Sequence, residues 1–352
     1  MMSSGRGMLV ALAGVVIAGV LGLLTFGVQA TAGPDGLPLA VAVPGPQLEP
    51  VARQVTAHGG DQVAWRVTDP AQAQRLLADK EIYGYLTIAP GSVTATTSGA
   101  LNPPAAQAAE QVLRGAGGAV AQAMHAPPVT ITIVHRTTLG AKAIPLAATA
   151  LLWIAALAAN ALLFVLALRR KQKPTAGARL TLIASAAVLG PALVFGLANW
   201  WAPEIGWTWP DLGYLALVSG AFAALQAAVL RLAGYAGIPI LGLLYLMAPS
   251  VAGQPPELID PVYRALIWSW TPFRFATEPL RSLLFLGDRT ADVTTGLIVF
   301  GAIAFAGLVV SSWPGRARTV PPEPVGVPDG TVAAVNRSSR VGQMGATPRS
   351  SG

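Results

Sequence analysis

Six apolar runs, near residues 8–30, 143–168, 180–202, 212–230, 235–252 and 293–313, contain no Asp, Glu, Lys or Arg. Each meets the length of roughly 17–25 residues that a tilted helix needs to cross hydrocarbon. A charge at mid-bilayer costs several kcal/mol, so runs this clean are what lipid-facing helices require. A polar block of roughly 110 residues separates the first run from the second. The chain is therefore predicted to be an α-helical membrane protein: six transmembrane helices, with a small mixed α/β extracytoplasmic domain between the first and second. Composition agrees, since charged residues make up 11% of the chain against ~25% in soluble domains. The fifth run holds Gly237, Pro239, Gly242 and Pro249. Broken helices persist in membranes where neighbours satisfy the freed backbone groups, so this run is predicted to be buried in the bundle.

Basic residues set the predicted orientation. With a cytoplasmic N-terminus, six crossings place Arg6, the cluster Arg169, Arg170, Lys171, Lys173 and Arg179, Arg231, and the arginines beyond residue 313 inside. The inner segments then carry about +10 and the outer ones about −3, as the positive-inside rule expects. Both termini are accordingly cytoplasmic and residues 31–142 extracytoplasmic. The net charge of +7 is thus topological, and RRKQK lacks the interleaved aromatics of a nucleic-acid site. Residues 1–30 could instead be a cleaved signal peptide, since Ala30-Thr31-Ala32 offers small residues for cleavage. The apolar core exceeds the usual signal length, which favours a retained anchor.

Within residues 31–142, five segments (37–44, 62–68, 81–88, 92–98 and 129–135) are rich in β-branched or aromatic residues and bounded by Gly, Pro or Asp, and are predicted strands. Asp69 before Pro70 is a predicted N-cap and first-turn pair opening PAQAQRLLADK. A second helix is predicted from about Pro104 to Met124, weakened by Gly115, Gly117 and Gly118. Residues 143–313 form the predicted five-helix membrane domain, and Pro314 to Gly352, rich in Pro, Gly, Ser and Arg, is a predicted disordered tail.

Chemistry is sparse. The chain has no cysteine, and His58, His125 and His135 show no H-E-x-x-H pairing, so zinc chemistry is not expected. Asp61, Asp69, Ser92 and Ser98 have no spacing that brings a base to a nucleophile. No G-x-x-x-x-G-K-[ST] occurs, so the chain lacks the loop by which such proteins hold ATP phosphates. It is read as a non-enzyme without cofactor or metal.

The order of parts, one span, a large external insertion and then five spans, resembles the membrane subunits of type-2 ABC transporters. The resemblance is to the shorter bacterial relatives in the phage-infection-protein group. It rests on GLPLAVAVP after the first run and on VTDPAQAQRLLADKEIYGYLTIAPGS (67–92) with its pair Tyr83-Gly84. It rests also on residues 249–288, where Pro272, Glu278, Arg281 and Phe285 match. It implies an exporter subunit working as a homo- or heterodimer with a separate ATPase docked on the loop 169–179. It also implies an external segment, 253–292, gating the outer mouth through Trp268, Pro272, Glu278, Arg281 and Phe285. Only about seven residues precede the first run, too few for the amphipathic leading helix of many type-2 permeases. A hydrophobic or amphipathic substrate is expected, because nothing charged lines the runs. The alternative is a non-transporting surface protein, a phage-receptor-like or secretion-accessory factor.

On the residues alone, 253–292 is too charged to span and too apolar to float free, so short helices at the outer interface are predicted. Asn160, Asn199 and Gln226 interrupt apolar runs and are predicted to seek partners within the bundle, or to line a pathway. Trp200, Trp201, Trp207 and Trp209 form a predicted interfacial belt.

Overall fold

The computed structural model describes residues 4–57, 60–287 and 290–313. His58 and the tail from Pro314 lie outside the described residues. Helix α1 (Ser4–Gly22) runs on through a π turn (Leu23–Gly27) to Ala30. A five-stranded sheet follows, built from β1 (Leu37–Ala42), β2 (Val63–Thr68), β3 (Gly84–Ala89), β4 (Ser92–Ser98) and β5 (Thr130–Val134). Interleaved with the strands are α2 (Glu49–Thr56), α3 (Pro70–Ala78) and α4 (Pro103–Ala123). The sheet order is β2-β1-β3-β4-β5, parallel except for the β3–β4 hairpin.

Alternation along β1 divides its side chains between the two faces. Leu37, Leu39 and Val41 pack with Ala52 of α2 and with Ala105, Ala109 and Leu113 of α4. Ala40 faces the opposite layer, with Leu77 of α3 and with Leu101. All five predicted strands form, with β3 starting at Gly84 because Glu81 and Ile82 close the end of α3 through bonds to Leu76 O. The glycines of α4 do not break it. A Cβ on Gly117 would lie 2.8 Å from both Leu86 and Val129, so the missing side chain lets the helix seat on the sheet. Helix α2 is an element that sequence reading passed over.

The helical half comprises α5 (Leu139–Arg169), α6 (Ala176–Trp201), α7 (Trp209–Ala233), α8 (Gly237–Ala252), α9 (Pro272–Phe285) and α10 (Ala291–Ser312). By length and composition, five helical stretches could cross a membrane: 11–30, 139–169, 176–201, 209–252 and 291–312. The fourth joins the two runs expected as separate crossings. Gly234, at φ +58°, ends α7 and turns the chain into α8. Tyr235 stacks edge-on against Phe164 at the end of the bundle away from the sheet, and Gly253, just past α8, accepts a bond from Asn102 of the sheet domain. Helix α8 therefore runs back toward the sheet.

Helix α7 is the hub, buried almost all round, as a helix surrounded by other helices must be. Its small residues admit close neighbours, and Phe222 and Phe273 each meet Trp153 edge-on at 4.8–4.9 Å between ring centres, the two phenyl rings lying tilted to each other at 5.9 Å. Phe273 belongs to α9, which therefore packs into the bundle core instead of lying wholly on its surface as expected. In contrast, α1 touches the rest through its last two turns, where Leu24 and Val28 meet Met247, Val251 and Ile267.

The α7–α10 crossing leaves no room for a side chain at Gly307: a Cβ there would sit 2.6–2.8 Å from Ala224, backbone included. Gly301, on the same helix, has open space. Gly307→Val should lower stability by about 1–3 kcal/mol through overpacking, while Gly301→Ala should be neutral or mildly stabilising. Thermal unfolding of the detergent-solubilised variants checks both.

Candidate functional site

The sheet domain meets the bundle through a polar junction that begins with the end of α3. Asp69 caps the start of this helix by accepting from Gln72 N–H at 2.9 Å. At its other end, Lys80 N–H donates to Leu77 O and Glu81 N–H to Leu76 O (3.3 and 2.9 Å). This is the paired bonding of a Schellman cap, whose left-handed position is normally glycine. Here Lys80 occupies it at φ +62°. A side chain in that region costs about 1–2 kcal/mol, and the ammonium it carries is put to use.

Lys80 Nζ lies 2.8 Å from Asp292 Oδ2, 2.9 Å from Ser282 Oγ and 3.5 Å from Glu278 Oε2. Ser282 in turn donates to Asp292 at 2.7 Å. Asn102, the N-cap of α4, donates to Glu278 Oε1 at 2.9 Å and to Gly253 O at 3.3 Å. Arg281 is 2% exposed, and its Nε stands 3.5 Å from Glu278 Oε1 without hydrogen-bonding geometry. Four elements of the chain thus converge on two carboxylates. Burial, the largest influence, pushes the Glu278 carboxyl upward, but Arg281, Lys80 and Asn102 together carry it below its ordinary value.

A second contact lies beside the first. Tyr83 donates to Glu257 Oε2 at 2.9 Å, and burial and this carboxylate raise the phenol well above its usual range, keeping it a donor. Backbone bonds from Gly33 to Leu258 O and from Asp35 to Glu257 O fasten the same stretch, and Leu258 is buried in the core of the sheet domain. Between the two contacts is a cavity of about 300 Å³. Trp268 and Arg274 form part of its wall, with the guanidinium 3.7 Å from the indole ring and 3.9 Å from Phe275.

Of the residues expected to gate the outer mouth, Glu278 and Arg281 fall inside this junction, and Trp268 anchors itself through its indole N–H on Gln254 O at 3.2 Å. Pro272 is buried in the first turn of α9, and Phe285 at its far end packs with Ala141 and Ile144. Asn160 and Gln226 are buried between helices, donating to Ala156 O and Ala223 O and to Trp153 O respectively (3.0–3.2 Å). Asn199, expected in the bundle with them, is instead exposed on α6. Trp200, Trp201 and Trp209 are exposed, whereas Trp207 packs against Phe195 and so leaves the expected belt. Arg169, Arg170, Lys171 and Lys173 are exposed at the end of the bundle remote from the sheet. Arg179 turns inward, and with Arg231 it donates to Ser311 O (3.5 and 3.0 Å) at the close of α10. Ser98 Oγ and His135 Nδ1 are 3.3 Å apart, but Ser98 is buried and accepts from Ala100 N–H, so the pair closes a turn. Among the described residues no group of three His, Cys, Asp or Glu could hold a metal.

Sequence reading found Glu278 and Arg281 but missed Lys80, Asn102 and Asp292. A lysine directly after an Asp-capped helix, with no glycine nearby to end it, was the available signal for Lys80.

If Lys80 were an ordinary surface residue, Lys80→Gly would relieve the left-handed backbone and stabilise the protein. Because it neutralises partly buried carboxylates, both Lys80→Gly and Lys80→Met should instead destabilise, by about 1–3 kcal/mol after allowing for solvent access. Thermal unfolding distinguishes the two signs. A carboxyl depressed in the native state stabilises above its unfolded value and loses that contribution as pH falls through its native value. The melting temperature should therefore drop as pH is lowered below the ordinary glutamate range, and less steeply in Glu278→Gln. Comparison of the chain with protein-family models, with curated proteins and with solved structures finds no significant match to any of them.

Proposed function

We propose that this chain is the membrane-spanning subunit of an ABC-type exporter, worked by a separate ATPase and functioning as a dimer. In this reading the chain crosses six times, with α7 and α8 as separate crossings, and the sheet domain is extracytoplasmic. The remote end of the bundle is cytoplasmic. Its described residues include Arg169, Arg170, Lys171, Lys173, Arg179 and Arg231 and no acid, which supports that assignment.

The observation that carries the proposal is that α10 is bound by charge at both ends. Asp292 in its first turn holds Lys80 of the sheet domain, and Ser311 O in its last turn receives Arg179 and Arg231. Twenty-two residues of helix are about 33 Å long, enough to span hydrocarbon. A module that merely displays itself outside a cell needs a tether. This one is fastened so that displacement of α10 must move the external domain, as force transmitted from a cytoplasmic motor would require. The basic loop 169–179 adjoins the inner end of that rod and is the surface offered to the ATPase. Asn160 and Gln226 spend their donors on neighbouring helices, which supports a pathway formed between two copies and not within one.

Single-cysteine labelling in intact cells should reach Gln107 and not Arg170, and the reverse result would overturn the orientation. Affinity purification of the full chain from its native cells should recover an ATPase bearing a phosphate-binding loop. Charge reversal at Arg169, Arg170, Lys171 and Lys173 should abolish that recovery. Failure to recover any ATPase under crosslinking, with export unchanged on deletion, would favour the surface-protein alternative.

A further inference from the structure

At the end of the bundle remote from the sheet, two arginines from different helices converge on one neutral atom. Arg179, in the first turn of α6, and Arg231, in the last turn of α7, both donate through Nη1 to Ser311 O at the close of α10, at 3.5 and 3.0 Å. Arg231 Nη2 donates further to Trp313 O at 2.6 Å. Like charges held this close repel, and a carbonyl dipole does not neutralise them. The described carboxylates all fall within residues 35–110, 204–211 and 257–292, in the sheet domain or at the sheet end of the bundle, so none of them balances the pair. Helix α6 begins at the same place with Thr175 capping Ala178 N–H at 3.1 Å and with no acid in its first turn. Its positive end therefore adds to the two charges.

The pair is open to a ligand. Nε and Nη2 of Arg179 and Nε of Arg231 bond nothing among the described residues, and none of the three is sealed from solvent, both side chains being half-buried. Two guanidinium groups with donors to spare match the oxygens of a phosphate, which can accept from both. The neighbouring surface indicates what carries that phosphate. Leu180 and Leu232 follow the two arginines in sequence, Val309 sits on the last turn of α10, and all three are exposed, as is Trp313 at the helix end. Such apolar surface suits acyl chains, while Arg and Trp suit the level of the headgroups. With no described carboxylate at this end, nothing is offered to an ammonium, which sets zwitterionic headgroups at a disadvantage. We infer that Arg179 and Arg231 bind the phosphodiester of an anionic phospholipid whose headgroup lacks an ammonium, as in phosphatidylglycerol, between the ends of α6, α7 and α10. Basic pockets between membrane helices hold anionic headgroups by the same attraction. The site needs the helices to lie in a bilayer but needs neither an ATPase nor transport, so it stands or falls separately from the export reading.

The test uses the full chain, purified without partners and released for native mass spectrometry from nanodiscs of equal parts phosphatidylglycerol, phosphatidylethanolamine and phosphatidylcholine. Retention of phosphatidylglycerol in preference to the other two is expected. Arg179→Gln and Arg231→Gln should each weaken that preference about five-fold, the worth of one cation near an anionic headgroup, in preparations whose melting temperatures show them folded. Replacing Arg169, Arg170, Lys171 and Lys173 together by Gln should lower it less than the Arg179→Gln, Arg231→Gln double variant does, because those four are surface charges outside the pair. A measurement on the unaltered chain covers the case in which the double variant does not fold: phosphatidylglycerol carrying a photoreactive group near its glycerol should crosslink around Leu180, Leu232 and Val309 in excess of a phosphatidylcholine probe of the same design. Equal retention of the three lipids, a preference that survives in the folded double variant, a greater loss in the loop variant, or equal crosslinking by the two probes would overturn the inference.

Discussion

The tie between Lys80 and the carboxylates of Glu278 and Asp292 is what makes one body of two unlike halves. The sheet domain and the bundle each have a core, the first taking in Leu258 from the helical half and the second built on aromatic rings. Beside the Tyr83–Glu257 contact, what couples them is a cation placed at a left-handed helix terminus and two acids from a different half of the chain. Removing one partner of such a partly buried pair is costly, since it leaves the other desolvated and unpaired. Asn102 strengthens the same point from another direction, capping α4 with its carbonyl while its amide holds Glu278. Loss of the junction would therefore also disturb the start of a helix that covers the sheet.

Arg281 shows how tightly this region is committed. It is almost fully buried, and its Nε and Nη1 lack hydrogen-bond partners. A buried guanidinium so poorly bonded is held by its charge, with Glu278 as the neighbouring anion. Glu278 thus balances one cation from its own helix and another from the sheet domain, and neither can be withdrawn without leaving excess charge in a partly dry site.

Much of the architecture was legible because its signals are local. Strands announced themselves by β-branched runs such as VTITIV, and α3 by Asp69-Pro70. The amides of Asn160 and Gln226 bond backbone carbonyls between helices, because an amide in an apolar run has few other places to find partners. What escaped notice depends on tertiary placement. The outward orientation of Asn199 follows from helix rotation, which a run with apolar residues on every side does not encode. The seating of α9 in the core was obscured by Arg274, Glu278 and Arg281, which made the segment read as interfacial, although Phe273, Ala276 and Leu280 form its inward stripe. Lys80 and Asp292 are 212 positions apart, and no local pattern connects them.

The packing also orders the helices by how freely they can move. Gly296 and Gly307 bring α10 into backbone-level contact: a Cβ at Gly296 would meet Tyr214 and Pro279, and one at Gly307 would meet Ala224. Tyr214 further bonds Phe275 O. Helices α7, α9 and α10 are thus interlocked by close approach and by hydrogen bonds, and interlocked surfaces shift as units because packed cores deform in steps and not continuously. Helix α1 sits at the other extreme: among the described residues its packing on the bundle core is in its final two turns, with Gly27 against Tyr263. A conformational change in this protein would therefore carry α7, α9, α10 and the sheet domain together. The give would come at α1 and at the short turn Gly234–Ala236, opened by a left-handed glycine, that links α7 and α8.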